Sequence, residues 1–216
     1  MIQAVIFDLD GLIVDTEPIH MRAVNALLRQ HGIDYQFESE EYGKCFVGIP
    51  VVENVHYMQA RFHLPGTPPQ IIAEREEIYE ALISEPSNLV MMPGVTRLID
   101  QTQARGMCAG VASGSPRHQV EIVLRGLGII DRFSVIVAGN EVPKTKPAPD
   151  VYLRAAEKIG VMPAKCVALE DSATGIRAAK AAGMRAIAVP NRFTAHQDLS
   201  HADAIVKNLD EVLTLL

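Results

Sequence analysis

No segment of this sequence concentrates lysine or arginine, the apolar run at its N-terminus is broken by carboxylates, and its three cysteines are far apart. Each absence removes a class of function. With 20 Lys+Arg against 26 Asp+Glu and a formal net charge of -6, there is no basic track to follow a phosphate backbone, so nucleic acid is not an expected partner. Cys45, Cys108 and Cys166 are odd in number and form neither a CxxC nor a Cys/His pattern. A disulfide framework and a zinc site are therefore not expected, and a reducing, cytoplasmic setting fits. In MIQAVIFDLDGL, Asp8 and Asp10 interrupt the hydrophobic stretch and no basic segment precedes it, which reads as a first strand and not as a signal peptide or membrane span. Aromatics are scarce at 5%, yet 48% of the 216 residues are apolar, enough for a sizeable core and too many for a disordered chain. The sequence shows no internal repeat, no low-complexity tract and no feature that requires an obligate protein partner.

Short apolar runs rich in Val, Ile or Ala recur at Ile2 to Phe7, Met107 to Ala112, Phe133 to Ala138, Cys166 to Leu169 and Arg185 to Val189. Helical patterns separate them, punctuated by Pro93-Gly94 and Gly106, Pro116 and Gly126, Pro149 and Gly160, Ser172 and Gly183. Strand, helix, strand is the βαβ repeat of a parallel sheet, whose ligands sit beyond the carboxyl ends of the strands. From about Glu17 to about Leu89 the rhythm changes. Ala23, Leu27 and Leu28 share one helical face and Ile71, Ile72, Ile78, Leu82 and Ile83 mark another, with no convincing buried strand between them. This stretch reads as a helical insertion, closed by the linker-like Glu85-Pro86-Ser87-Asn88 and by Met91-Met92 as core filler.

Four strand ends carry candidate chemistry. The first is Asp8-Leu9-Asp10-Gly11, which alone could equally be a solvated acidic turn. The second is Ser113-Gly114-Ser115-Pro116, where a hydroxyl and free N–H groups at a helix start can hold a phosphate. There Ser115 is expected to be an ordinary N-cap with Pro116 at the first helical position, which leaves Ser113 as the better ligand. The third contains Lys144 and Lys146, one of them expected to be surface charge, and the fourth is Glu170-Asp171-Ser172 with Ser172 able to cap. Because each lies at a different strand end, all four can converge on one crevice. Asp8, Asp10 and Asp171 make a hard oxygen site suited to Mg²⁺, and Ser113 and Lys146 supply donors for a phosphoryl group.

At these residues the chain resembles the haloacid dehalogenase superfamily, within it the phosphatases and phosphomutases similar to β-phosphoglucomutase. The motifs are Asp8 to Glu17, Ser113, Lys146-Pro147-Ala148-Pro149-Asp150 and Glu170-Asp171, and the likeness spans nearly the whole chain. It implies an α/β fold, a Rossmann-like parallel sheet core (residues 1–15 and 89–216) with an inserted small helical cap (residues 16–88). It implies a Mg²⁺-dependent phosphatase acting on a small phosphorylated metabolite, with a sugar phosphate leading. By position Asp8 is the nucleophile and Asp10 the general acid and base. Ser113, Gly114 and Lys146 bind the phosphoryl group, while Asp8, the Asp10 carbonyl, Asp171 and Glu170 hold or support the metal. Asp10 separates this chain from the dehalogenases of the superfamily, which lack that acid. Mutases of the group carry an arginine in a cap motif, and in Gly48-Ile49-Pro50-Val51 its place is taken by Val51, which favours a phosphatase over a hexose-phosphate mutase. Lys44 and Arg61 are the candidates to replace that cation, His20 is read as a partly buried polar residue outside the catalytic set, and a noncatalytic phosphometabolite-binding module is the alternative from another class.

Overall fold

The structure is a computed structural model that describes residues 1–216. Six parallel strands lie in the order β3-β2-β1-β4-β5-β6. They are β1 (Ala4–Phe7), β2 (Cys108–Ala112), β3 (Val135–Val137), β4 (Cys166–Glu170), β5 (Arg185–Ala188) and β6 (Ala204–Ile205). The central strand β1 is buried along its whole length, which explains its unbroken Ala-Val-Ile-Phe run: both faces of a parallel sheet are covered by helices. One face packs Val5, Phe7, Val111 and Leu169 against α5 (Val95–Ala104) and α6 (Arg117–Gly126). The other packs Ala4, Ile6 and Ala168 against α7 (Asp150–Ile159) and α8 (Ala173–Ala181). β5 and β6 are followed by the short α9 (Leu209–Val212).

Between β1 and α5 the chain forms α1 (Glu17–Gln30), α2 (Ser39–Phe46), α3 (Val51–Phe62) and α4 (Pro68–Ile83), with no strand, as the sequence implies. This helical unit has its own apolar centre, built from Leu27, Leu28, Phe37, Phe46, Val55 and Ile71. The scarce aromatics are concentrated here: Phe37 and Phe46 meet edge to face at 4.9 Å, and Tyr42 stacks on Phe46 at 5.0 Å. On α4 the buried stripe is Ile71, Arg75, Tyr79 and Ile83, spaced by one turn. Ile72, Ile78 and Leu82 lie beside it, only partly buried, so the expected apolar face is rotated and carries an arginine.

Two local readings change. Ser115 does not cap α6: the helix begins at Arg117 behind Pro116, and the Ser115 hydroxyl turns to Asp10 instead. Strand β6 is two residues long with Ile205 exposed, too short for any run to announce it. Ser172, by contrast, caps α8 as expected, accepting from the Gly175 N–H at 3.1 Å.

Candidate active site

The ends of β1, β2 and β4 and the loop after β3 bring Asp8, Asp10, Ser113, Lys146, Glu170 and Asp171 together. Asp8, at 6% exposure, receives the Lys146 Nζ at 2.5 Å on Oδ1, and the same ammonium lies 2.6 Å from Glu170 Oε1. Glu170 is fully buried and also accepts from the Tyr152 hydroxyl at 2.5 Å and from Ser172 at 3.2 Å. Lys144 is exposed and takes no part. Oxygens of Asp8, Glu170 and Asp171 all lie within 4.8 Å of one another.

Three buried carboxylates this close repel each other, and the titration of Asp8 and Asp171 reports it. Burial first, then Glu170, pushes Asp8 up to about 7 although Lys146 pulls it down. Burial, then Asp8 and Glu170, raises Asp171 well above the usual carboxylate range. Burial disfavours the Lys146 ammonium, yet Asp8 and Glu170 more than offset this and keep it charged. One lysine against three carboxylates leaves an excess of negative charge on hard oxygen donors. That donor set suits a divalent cation such as Mg²⁺, and a His- or Cys-seeking metal less well.

Asp10 is held from two sides, by Thr16 Oγ1 on Oδ1 at 2.9 Å and by Ser115 Oγ on Oδ2 at 2.8 Å. Ser113 is buried beneath, 3.5 Å from the same Oδ2, and accepts from the Ser115 N–H at 3.0 Å. The loop that carries Gly114 is braced by the next one: Gly139 donates its N–H to the Ser115 carbonyl at 2.9 Å. A Cβ on Gly139 would fall 2.0 Å from the Gly114 oxygen, so no larger residue permits this approach.

Above these loops lies a cleft of about 540 Å³, with Gly114 and Ser115 on the core side and Glu17, His20, Tyr42 and Arg75 on the helical unit. Neither Asp8 nor Asp10 is on its wall; Ser115, which lines it, donates to Asp10. The cation in it is Arg75. Lys44 pairs with Glu40 and Arg61 with Glu41, both at 2.6 Å, away from the cleft. Arg75 pairs with Glu76 and donates to His20 Nδ1 at 2.6 Å, while His20 stacks on Tyr79 at 4.0 Å. Burial and the Arg75 charge hold His20 well below its ordinary value, as a neutral acceptor. Arg75, Tyr152 and Asn191 were not singled out by the sequence; a charged residue on the buried stripe of α4 was the available signal for the first.

Comparison with known proteins identifies the family of the chain. The profile of the family described as haloacid dehalogenase-like hydrolase matches residues 5–189. Protein CbbY of Cereibacter sphaeroides is 35% identical over 222 residues, covering 98% of this chain and 94% of that protein. Hexitol phosphatase B of Escherichia coli K12 is 36% identical over 194 residues, covering 88% of this chain and 84% of that one. A crystal structure of a CbbY variant from Rhodobacter sphaeroides in complex with xylulose-(1,5)bisphosphate superposes with a TM-score of 0.83 at 32% identity, covering 98% of this chain and 96% of that one. No helix here is long and apolar enough to cross a membrane. A family profile matched over most of the chain, a shared fold and relatives matched nearly end to end lead to one conclusion: the chain belongs to the haloacid dehalogenase-like hydrolases.

Proposed function

We propose that this protein is a Mg²⁺-dependent phosphatase of small phosphorylated sugars or sugar alcohols, working through an aspartyl-phosphate on Asp8. The observation that carries this reading is the pairing of Asp8 with Lys146 at 2.5 Å inside a carboxylate cluster, with a second, independently held carboxylate, Asp10, behind the Ser115 wall of the cleft. In the first step an Asp8 oxygen attacks phosphorus, the ester P–O bond breaks, and Asp10 gives its proton to the leaving oxygen. In the second, Asp10 takes a proton from water as that water attacks phosphorus, and inorganic phosphate leaves with Asp8 restored. Lys146 offsets the repulsion between the carboxylate and the anionic phosphoryl group, and the Ser113 hydroxyl and Gly114 N–H bind its oxygens. Asp8, the Asp10 carbonyl and Asp171 would hold Mg²⁺, which when bound supplies positive charge toward the phosphoryl oxygens. Glu170, engaged with Lys146, Tyr152 and Ser172, supports this set and fixes the lysine.

Residues 16–88 act as a cap over a core of residues 1–15 and 89–216, closing the cleft around the remainder of the substrate. The relatives CbbY, structurally characterised with xylulose-(1,5)bisphosphate, and hexitol phosphatase B support a phosphorylated carbohydrate as the substrate class. Hydrolysis is favoured over transfer to a second sugar position, because Val51 presents no charge where mutases of the group carry an arginine. The test is phosphate release from sugar, sugar-alcohol and nucleotide phosphates with Mg²⁺ or chelator, alongside Asp8→Asn. Metal-dependent release abolished by the substitution is expected. Release that survives Asp8→Asn would overturn the covalent route.

A further inference from the structure

The segment after β5 plays no part in the proposed hydrolysis, yet it touches both the carboxylate cluster and the cap. Asn191 uses both hydrogens of one amide: Nδ2 donates to Asp171 Oδ2 at 2.8 Å and to the Gly11 carbonyl at 3.1 Å. Its Oδ1 accepts from the Phe193 N–H at 2.8 Å, and its backbone N–H donates to the Thr194 hydroxyl at 3.1 Å, so the orientation of the amide is fixed from its own loop. The approach is tight. A Cβ on Gly11 would come 2.3 Å from Asp171 Oδ2 and 2.7 Å from Asn191 Nδ2.

Two residues on, the Phe193 ring is 4% exposed and sits not in the core but in the cap's apolar centre, with Tyr42 and Phe46. Gly43 of α2 packs beside it: a Cβ there would make ordinary van der Waals contact with the ring at 3.5 Å. Further along, Gln197 accepts from the Ala173 N–H at 2.8 Å, at the start of the helix after Asp171. One short loop therefore grips a cluster carboxylate, the loop after β1 and the cap.

We propose that Asn191 is a positioning residue for Asp171, and that the Asn191–Gln197 segment couples the arrangement of the carboxylate cluster to the seating of the cap. The inference rests on the reading that Asp171 serves a divalent cation. The physical reason is the crowding of the cluster: oxygens of Asp8, Glu170 and Asp171 lie within 4.8 Å of one another, and a donor that is itself fixed keeps the Asp171 carboxylate from turning away from its neighbours. Burial of Phe193 fixes the donor's loop in turn, because withdrawing the ring from the cap would expose apolar surface to water.

The experiment is calorimetric Mg²⁺ titration of the full chain, compared with Mg²⁺-dependent kinetics. Asn191→Leu, of similar volume and without a donor, is expected to weaken Mg²⁺ binding roughly 10- to 100-fold, with much of kcat recovered at saturating metal. Phe193→Ala removes the ring from the cap while keeping the backbone N–H that Asn191 Oδ1 accepts, and is expected to weaken Mg²⁺ binding several-fold. Wild-type affinity in Asn191→Leu would overturn the positioning role, and wild-type affinity in a folded Phe193→Ala would overturn the coupling. If the unsubstituted protein bound no Mg²⁺, the metal reading would fall and this inference with it. Binding by the unsubstituted protein with unaltered variants would defeat the inference alone.

Discussion

Ser115 donates its hydroxyl to Asp10 Oδ2 across 2.8 Å, tying the loop after β2 to the loop after β1. Thr16 does the same to Oδ1 at 2.9 Å, so the proposed general acid has one neutral donor on each oxygen. Losing a hydrogen bond to a charged group costs about 1.5–3 kcal/mol where nothing replaces it. Ser115→Ala is therefore expected to lower kcat by roughly 10-fold with KM nearly unchanged, since the hydroxyl aims the proton donor and does not grip the substrate. Steady-state kinetics on the best sugar phosphate would check this. A kcat within twofold of wild type would show that Thr16 alone holds Asp10.

Arg75 gives a different kinetic signature. It lines the cleft away from Asp8 and can reach only the distal part of a substrate. Arg75→Ala is expected to raise KM for sugar phosphates roughly 10- to 100-fold, the worth of a charge-assisted hydrogen bond. Acetyl phosphate, too small to extend that far, should be hydrolysed as before. Equal losses on both substrates would place Arg75 in the framework of the cleft and not in recognition.

Much of this was legible in the residues, and the remainder was hidden for physical reasons. Strands β1 to β5 announce themselves because a buried parallel strand needs apolar side chains on both faces, and Pro and Gly mark the ends of their helices. The four motifs stand out because three come directly after an apolar run and the remaining one, Lys146-Pro147, follows one by a short loop, where a parallel sheet places its ligands. The same rule applied to β5 leads to Val189-Pro190-Asn191, but a lone asparagine after a strand reads as a turn residue until its partners 20 and 180 positions away are known. Tyr152 was hidden for a similar reason. An aromatic on an amphipathic helix reads as core, and only the fold shows its hydroxyl on Glu170. Ser115 reads as a cap, because that is the commoner fate of a serine before Pro, and nothing in the sequence sets Arg75 apart from other helical arginines until the buried stripe of α4 is known.

Glu17 supplies a pH-dependent prediction. Burial first, then the Asp10 charge, raises it to about 7 from an ordinary value of 4.5, with Arg75 only partly compensating and Asp15 adding to the rise. The folded state thus binds more protons here than the unfolded chain between those two values, and stability falls as pH rises through that window. Glu17→Gln removes the titration. It should leave Tm unchanged relative to wild type near pH 4.5 and raise it at pH 8, by about 2–4 °C for each kcal/mol recovered. Thermal melts at the two pH values decide it. An equal change at both would mean that packing, and not charge, governs the site.

Gly175, inside α8, sets two effects of opposite sign against each other. Replacing glycine by alanine in a helix usually stabilises it by up to about 1 kcal/mol, through lower backbone entropy in the unfolded chain. Here a Cβ would lie 1.9 Å from the Glu170 carboxylate, which is fully buried and held by Lys146, Tyr152 and Ser172. Nothing flexible can give way, because moving Glu170 leaves the Lys146 ammonium and the Tyr152 hydroxyl without their shared acceptor. Gly175→Ala is accordingly expected to destabilise the protein despite its better helix propensity, and to reduce activity by displacing Lys146 from Asp8. Chemical denaturation together with kinetics on the folded fraction would measure both. A stabilised and fully active variant would mean that the Glu170 network is not needed to hold the lysine in place.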